Sequence, residues 1–455
     1  MPTIVGRVAR APMAASALPD HDVLSTTPGR PYDEPMNAYL WKSNSVIAPF
    51  GDAVSDVLIA NETLRERQRR TLEKLGLTVH ETEDPDAITD REFLLVRDDL
   101  YFNQTAAKRF LDRAREADES VVCALEQGPF TEFTAFLQNL DGDTDPDSGD
   151  PLVLYGMYFC RAPAGSRTLP GSYRPLKIPA RQRAHEIAPG DFVPTSVGIS
   201  FTPAISDAMV MHVRHWTHLW LINLLVMGTT LLRRFTANRL ALVWRVLSAL
   251  SFNRQKIARR FVIKGKGCRI HPTATVEGCV LGDRVSIGAY SIVRGCILGD
   301  GVRINEQSIV TGSVFGEAAT CSPRGWAKAC VIYPAAVAGK IQACMVGHKA
   351  FLASPAHFID LKFQGTIKVT HQGEIVDTGM NFLGACIGHE AVVGADVWVA
   401  AGREIPNGAL LVKPPGDILS KIPADLPPGR AAAVRNSEAC LVDEAGRNPP
   451  DSADN

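Results

Sequence analysis

Four stretches of the chain align at a strict period of 17 residues, beginning at Cys279, Cys296, Ser313 and Cys330. The first two read CVLGDRVSIGAYSIVRG and CILGDGVRINEQSIVTG. Their apolar positions step by six, six and five: Leu281, Ile287, Val293, then Leu298, Ile304, Val310, then Phe315. A small or turn-forming residue follows many of them, as in Leu281-Gly282-Asp283 and Ile287-Gly288-Ala289. This spacing predicts three short flat faces per coil, joined by three turns. Coils of a parallel β-solenoid stack about 4.8 Å apart, so each apolar column becomes a continuous core that no single repeat can bury alone. The pattern covers residues 264–346 and returns over 384–410 at Ile387, Val393, Val399 and Ile405. The stretch 347–383 breaks it. Within that stretch GTIKVTHQGEIVDTGMNF reads as a β-hairpin with a His-Gln-Gly turn at His371.

At 455 residues the chain predicts two folded domains plus tails. Its formal net charge of −1 gives no electrostatic case for nucleic acid. The ten cysteines form no Cys-x-x-Cys pair, and Cys279, Cys296 and Cys330 share one repeat position, so buried structural thiols are expected. With no secretory signal at the start, that predicts a reducing cytoplasm. Residues 1–35, the acidic loop 140–151 and the tail 424–455 are rich in Pro, Gly and Asp, and are expected to lack order.

Residues 36–211 alternate strand-like and helix-like segments, which predicts an α/β sheet with a mostly parallel core. Val54–Ala60 reads as a strand or its edge. Asn61 reads as the cap of a helix Glu62–Leu75 that ends at Gly76. Phe93–Val96, Ser120–Leu125 and Pro151–Phe159 read as strands, and Ala106–Ala117 as a helix. Asp98 and Asp99 follow the FLLV strand, at the carboxyl edge where α/β sheets collect ligands.

Residues 212–263 form a helical linker. HVRHWTHLWLINLLVMGTTLLRRF is the most apolar segment, but its uncharged run Leu219–Leu232 has 14 residues, short of the roughly 20 that cross a bilayer. A second helix, Asn238–Phe252, carries Leu240, Val243, Trp244, Leu247 and Leu250 on one stripe, followed by Arg254, Lys256, Arg259, Arg260, Lys264 and Lys266. Two readings stand: a domain-joining helix pair with a solvated basic face, or contact with an anionic membrane surface.

The hexad spacing resembles the hexapeptide-repeat, left-handed β-helix family, rich in acyltransferases and in the C-terminal domains of sugar-1-phosphate nucleotidyltransferases. LIANETLRERQRRTLEKLGL, FLLVRDDLYF and PLVLYGMYFCR resemble nucleotidyltransferase segments, in that family's order. The resemblance implies an α/β nucleotidyltransferase-like (Rossmann-like) domain, a helical linker and a left-handed parallel β-helix over 264–423 with an insertion at 347–383. That is the arrangement of bacterial N-acetylglucosamine-1-phosphate uridyltransferases and their degenerate relatives. It further implies Mg²⁺ at Asp99, a nucleotide-sugar or sugar phosphate as ligand, acyl-coenzyme A as a donor on the solenoid, and a homotrimer or hexamer. A histidine serves such acyltransferases as general base. His371 and His348 are the candidates here, with His357 and His389 behind them. Lys362, in FIDLK, and Asn381, in GMNFLG, are the candidate substrate contacts. The family's Gly-rich phosphate loop has no counterpart: between residues 36 and 60, Gly51 is the one glycine and Lys42 the one basic residue. The expectation is a transferase-type protein of sugar-nucleotide metabolism with a degenerate N-terminal domain. The alternative is a non-catalytic nucleotide-sugar-binding or oligomerisation scaffold.

Overall fold

A computed structural model describes residues 36–161, 173–184, 203–237, 239–248, 253–423, 426–428, 430 and 432–442. The N-terminal segment 1–35 lies outside them, as do Asn238, Leu250 and Phe252.

The α/β part is built on a mixed sheet. Its strands are β1 (Asn37–Trp41), β2 (Thr78–Thr82), β3 (Glu92–Arg97), β5 (Val121–Glu126), β7 (Pro151–Arg161) and β8 (Arg174–Lys177), ordered β8-β5-β7-β3-β1-β2. A short β4 (Leu100–Phe102) lies outside this sheet, and β6 (Gly142–Thr144) pairs with β7. Strand β1 is parallel to β2 and β3, and β8 to β5, whereas β7 runs against both β3 and β5. The mostly parallel expectation therefore holds with one reversed central strand. FLLV of β3 is buried on both faces, which is why it reads as a continuous apolar run.

Helix α1 (Leu64–Glu73) begins two residues later than the sequence suggests. Thr63 caps it, its hydroxyl accepting from the Glu66 amide while Glu66 reaches back to the Thr63 amide, a reciprocal pair that satisfies two open donors. Asn61 instead donates to the Phe315 carbonyl in the solenoid at 2.8 Å. Gly76 ends the helix at φ +82°. Val54–Ala60 is a short 3₁₀ turn, Val54–Asp56, followed by Leu58–Ile59 paired to Glu62–Thr63. Helix α2 (Gln104–Glu116) is capped by Asn103. The acidic loop is ordered: Lys177 ties Asp145 and Asp150 at 2.8 and 3.0 Å.

The C-terminal region is a stack of short parallel strands. Leu281 pairs with Leu298, Leu298 with Phe315, and Phe315 with Ile332, each one 17-residue repeat on. Ile287 and Ile304 pair on a second face, and Val293 and Val310 on a third. Leu281, Leu298 and Phe315 share one buried core with the thiols of Cys279, Cys296 and Cys330. At Gly288 an added Cβ would meet the Glu306 amide at 2.7 Å, so only glycine lets the next coil close there. The period then slips. Ile332 pairs with Val346, and Val346 with Ile387. Phe351–Leu352 and His357–Phe358 still belong to the stack, so the excursion is narrower than 347–383. Its hairpin pairs Lys368–His371 with Glu374–Asp377 about Gln372-Gly373, which places His371 in the strand rather than in the turn. In the tail, Ala432–Arg435 pairs with Glu438–Leu441.

Between the two parts lies α3 (Trp216–Thr236), reached through β9 (Val210–His212), which pairs with β4. Trp216 and Trp220 are fully buried, and Trp220 Nε1 donates to the Ala329 carbonyl at 2.8 Å. Helix α3 thus wedges the sheet domain against one solenoid face, in a core running from Leu40 and Leu94 to Tyr333 and Met345. Among the described residues, no helix is long and apolar enough to cross a membrane. In helix α4 (Arg239–Leu247) the apolar stripe stands open: Leu240 is 83 % and Trp244 72 % exposed, with Val243 and Leu247 also open to solvent.

Candidate functional site

The carboxyl end of β3 places Asp98 and Asp99 in different surroundings. Asp99 is buried and ringed by nitrogen donors. His212 Nδ1 donates to Oδ1 at 2.8 Å, Arg97 Nε to Oδ1 at 3.1 Å, and Arg214 Nε to Oδ2 at 3.3 Å. The His212 tautomer follows from its other nitrogen, Nε2, which accepts from the Gly156 amide at 3.2 Å. Burial alone would raise the Asp99 carboxyl; the His212 hydrogen bond and the Arg97 charge hold it well below the usual carboxylate range. Burial in turn lowers His212. Mg²⁺ takes a near-octahedral set of oxygens and keeps several waters. A carboxylate already engaged by three donors, with its side chain 2 % exposed, does not fit that need. Among the described residues, no group of three or more His, Cys, Asp or Glu side chains is placed to hold a metal ion. Asp98 is the less satisfied neighbour. Its Oδ1 is buried without a partner, and burial raises its pKa. It borders a void of about 10 Å³ beside Lys42, Ser55 and Arg65, room for roughly one water.

His371 sits at a second junction. Its ring meets His215 edge-on at 5.4 Å between centroids. His215 Nδ1 accepts from Thr217, so its Nε2–H donates to Glu404 at 3.0 Å and to the Thr370 carbonyl at 3.1 Å. Trp216 Nε1 donates to the same Glu404 oxygen at 2.8 Å. His218 is saturated by the Arg214 amide and the Phe136 carbonyl, and burial pushes it down to about 3. Burial and the neighbouring His215 also lower His371.

His348 lies at a third place, stacked on His389 at 3.9 Å. His389 Nδ1 accepts from the His348 amide at 2.9 Å, and its Nε2–H donates to Asp52 at 3.0 Å. Phe50 and Tyr333 pack around the His389 ring. The His348 ring is half-buried, and burial with the neighbouring His389 lowers its pKa, favouring the neutral form that accepts a proton. His357 stacks on Trp398. Lys362 Nζ caps the Thr366 carbonyl at 2.8 Å, and the Lys362 amide donates to the Asn381 carbonyl at 2.9 Å. Lys362 and Asn381 are thus together, as the base of the hairpin.

The expected site residues therefore fall into four separate places. Sequence reasoning passed over Asp52, His212, Arg214, His215 and Glu404. One signal was present: three histidines and an arginine crowd into HVRHWTH, an unusual density for a connecting helix. Compared with known protein families and with curated proteins, the chain matches none.

Proposed function

We propose that this protein is a binding scaffold of sugar-nucleotide metabolism: a degenerate nucleotidyltransferase-like domain fastened to a left-handed β-helix, recognising a nucleotide-sugar or sugar phosphate without nucleotidyl transfer. The observation that carries this reading is the Asp99 carboxylate, whose two oxygens are taken by His212, Arg97 and Arg214. Nucleotidyl transfer depends on positioning a triphosphate and neutralising its developing charge. Here the Gly-rich cradle is missing and the strand-end carboxylate is committed to protein donors. Purified protein with nucleoside triphosphates, sugar-1-phosphates and Mg²⁺ is expected to release no pyrophosphate, and to show saturable heat with UDP-N-acetylglucosamine or a related nucleotide-sugar. Pyrophosphate turnover abolished by Asp99→Asn overturns the reading. The β-helix supplies self-association in this view. Ile309 and Trp326 are register partners on one face and both are exposed, an apolar pair suited to a homotrimer contact that light scattering tests.

A second reading is acyl transfer from acyl-coenzyme A with His348 as general base. It is favoured by the lowered His348 pKa and the His389–Asp52 pair behind it. Loss of acyl transfer in His348→Gln, with the fold intact, would decide for it. We also propose that α4 lies on an anionic membrane surface, its open apolar stripe inward and Lys256, Arg259 and Arg260 facing the headgroups.

A further inference from the structure

A cavity of about 220 Å³ lies on the helical layer of the α/β part, between α1, the start of α2 and α3. It shares no residue with the Asp99 network. Its floor is Tyr101, Phe102, Met209 and Val226; its walls carry Arg67, Arg70, Lys74 and Arg233. Four cations converge on a space this size, and their counter-charge is small. Glu62 accepts from Arg67 at 3.1 Å and from Arg70 at 2.6 Å. Glu62 thus serves two of the four cations, Arg67 and Arg70. The Arg67 Nη2 also reaches the Ile59 carbonyl at 2.8 Å, but its Nε is buried without a partner. A buried donor left open is costly to keep, so an arrangement that keeps one calls for an acceptor. Four like charges around one shared carboxylate repel, and Arg70 and Arg233 both act against the charge on Arg67, whose burial is the larger effect.

The fourth wall is the start of α2, where Gln104 and Thr105 line the cavity. The first turn of a helix has amides with no acceptor inside the helix, and the aligned peptide dipoles favour negative charge there. Asn103 caps the Ala106 amide, and Gln104 and Thr105, the first two residues of that turn, line the cavity. Guanidiniums, an ammonium and helix amides are the donor set that phosphate oxygens use.

We propose that this cavity binds a phosphate-bearing small molecule, with the phosphate held by Arg67, Arg70, Lys74, Arg233 and the first turn of α2. The volume falls below the roughly 300–1,000 Å³ of pockets for drug-sized ligands. It therefore takes inorganic phosphate, pyrophosphate or a sugar monophosphate, and excludes a whole nucleotide-sugar. The site is separate from the nucleotide-sugar reading above: a chain that ignores nucleotide-sugars still binds here.

The test is calorimetry on the full chain with sodium pyrophosphate, inorganic phosphate and glucose 1-phosphate, at ionic strength held constant with sodium chloride. Saturable binding of at least one is expected, with stronger binding of glucose 1-phosphate than of phosphate naming an organic ligand and the reverse naming a free one. Arg70→Gln and Arg233→Gln, both near the surface, should each weaken binding by about tenfold, the loss of one charge-assisted hydrogen bond. Arg69→Gln is the control, since Arg69 turns away to the Val79 carbonyl and Glu81 and should leave affinity unchanged. Heats that never saturate, or binding that survives Arg70→Gln combined with Arg233→Gln, overturn the proposal.

Discussion

The solenoid and the α/β part obey the same burial physics but expose it differently in sequence. In the solenoid each coil repeats the environment of the one before, so one residue choice recurs every 17 positions and the core column Leu281, Leu298, Phe315, Ile332 is written out in order. In the α/β part no environment repeats. Leu40 pairs with Val96 and Glu81 across segments far apart in the chain, and nothing local announces either partner. Periodic structure can be read from spacing; a mixed sheet has to be inferred from segment types.

The largest expected effect tests whether these two parts are separate at all. Their cores meet through Trp216, Trp220, Tyr333 and Met345. Phe315→Ala in the solenoid interior should cost about 3–5 kcal/mol, as for other buried phenylalanines. Because the parts share packed surface, urea melts followed by tryptophan fluorescence and by far-UV circular dichroism should still coincide. Two separated transitions would show that the parts unfold independently, and that the wedge at α3 is weaker than its burial suggests.

Next in size is Asp99→Asn. It leaves Arg97 and Arg214 facing a neutral amide in place of a carboxylate. The expected loss is about 1.5–3 kcal/mol, the range of a hydrogen bond to a charged group. Sequence alone suggests a metal ligand on a strand end, with a swap to Asn altering little beyond local stability. A loss under half a kilocalorie would mean that the three donors are satisfied elsewhere.

A smaller effect depends on pH. The folded pKa of His218 lies at about 3, below the ordinary 6.5. Below pH 6.5 the unfolded chain takes up a proton that the folded chain refuses, so stability falls from there toward pH 3 and is unaffected above 6.5. His212 is shifted in the same direction by burial. Asp99, with its depressed pKa, keeps its contribution above the unfolded value near 3.9 and loses it only at lower pH. Denaturation midpoints should therefore drop between pH 7.5 and 5, and His218→Gln should flatten that drop. An unchanged slope in His218→Gln would place the titration elsewhere.

The stacked strands, the hairpin, α1, α2 and β3 were legible because propensity and periodicity marked each of them, although the cap of α1 is Thr63 rather than Asn61. One further signal went unread. The outward positions Val280, Ile297, Val314 and Val331 are apolar, whereas Ser286 and Arg303 hold the equivalent places on the second face. That difference marks the face that α3 covers: Val314 and Ile297 pack against Met227. The candidate site was less legible. Asp99 and His371 were picked out for their chemical type, but their partners His212, Arg214, His215 and Glu404 come from distant segments, and only the fold brings them near. A histidine reads the same in sequence whether its ring is saturated, like His218, or open on one side, like His348.

The smallest stability effect is expected at α4, the place where the two regions are joined and where sequence and structure part most clearly. The stripe Leu240, Val243, Trp244 and Leu247 has the spacing of a buried helix face, yet these side chains stand in solvent. Side chains that bury nothing in the folded chain contribute little to its stability, so Trp244→Ser combined with Val243→Ser should change the unfolding free energy by no more than about 0.5 kcal/mol. The same pair should matter on a membrane. An amphipathic helix binds by burying its apolar face at the headgroup boundary, helped by basic residues near anionic lipid. Flotation with phosphatidylserine-containing vesicles should carry the native chain upward and leave the double variant behind, and added salt should weaken the native binding. A double variant that floats equally well removes the stripe from the contact. One that loses more than a kilocalorie of stability shows instead that α4 packs against the chain itself.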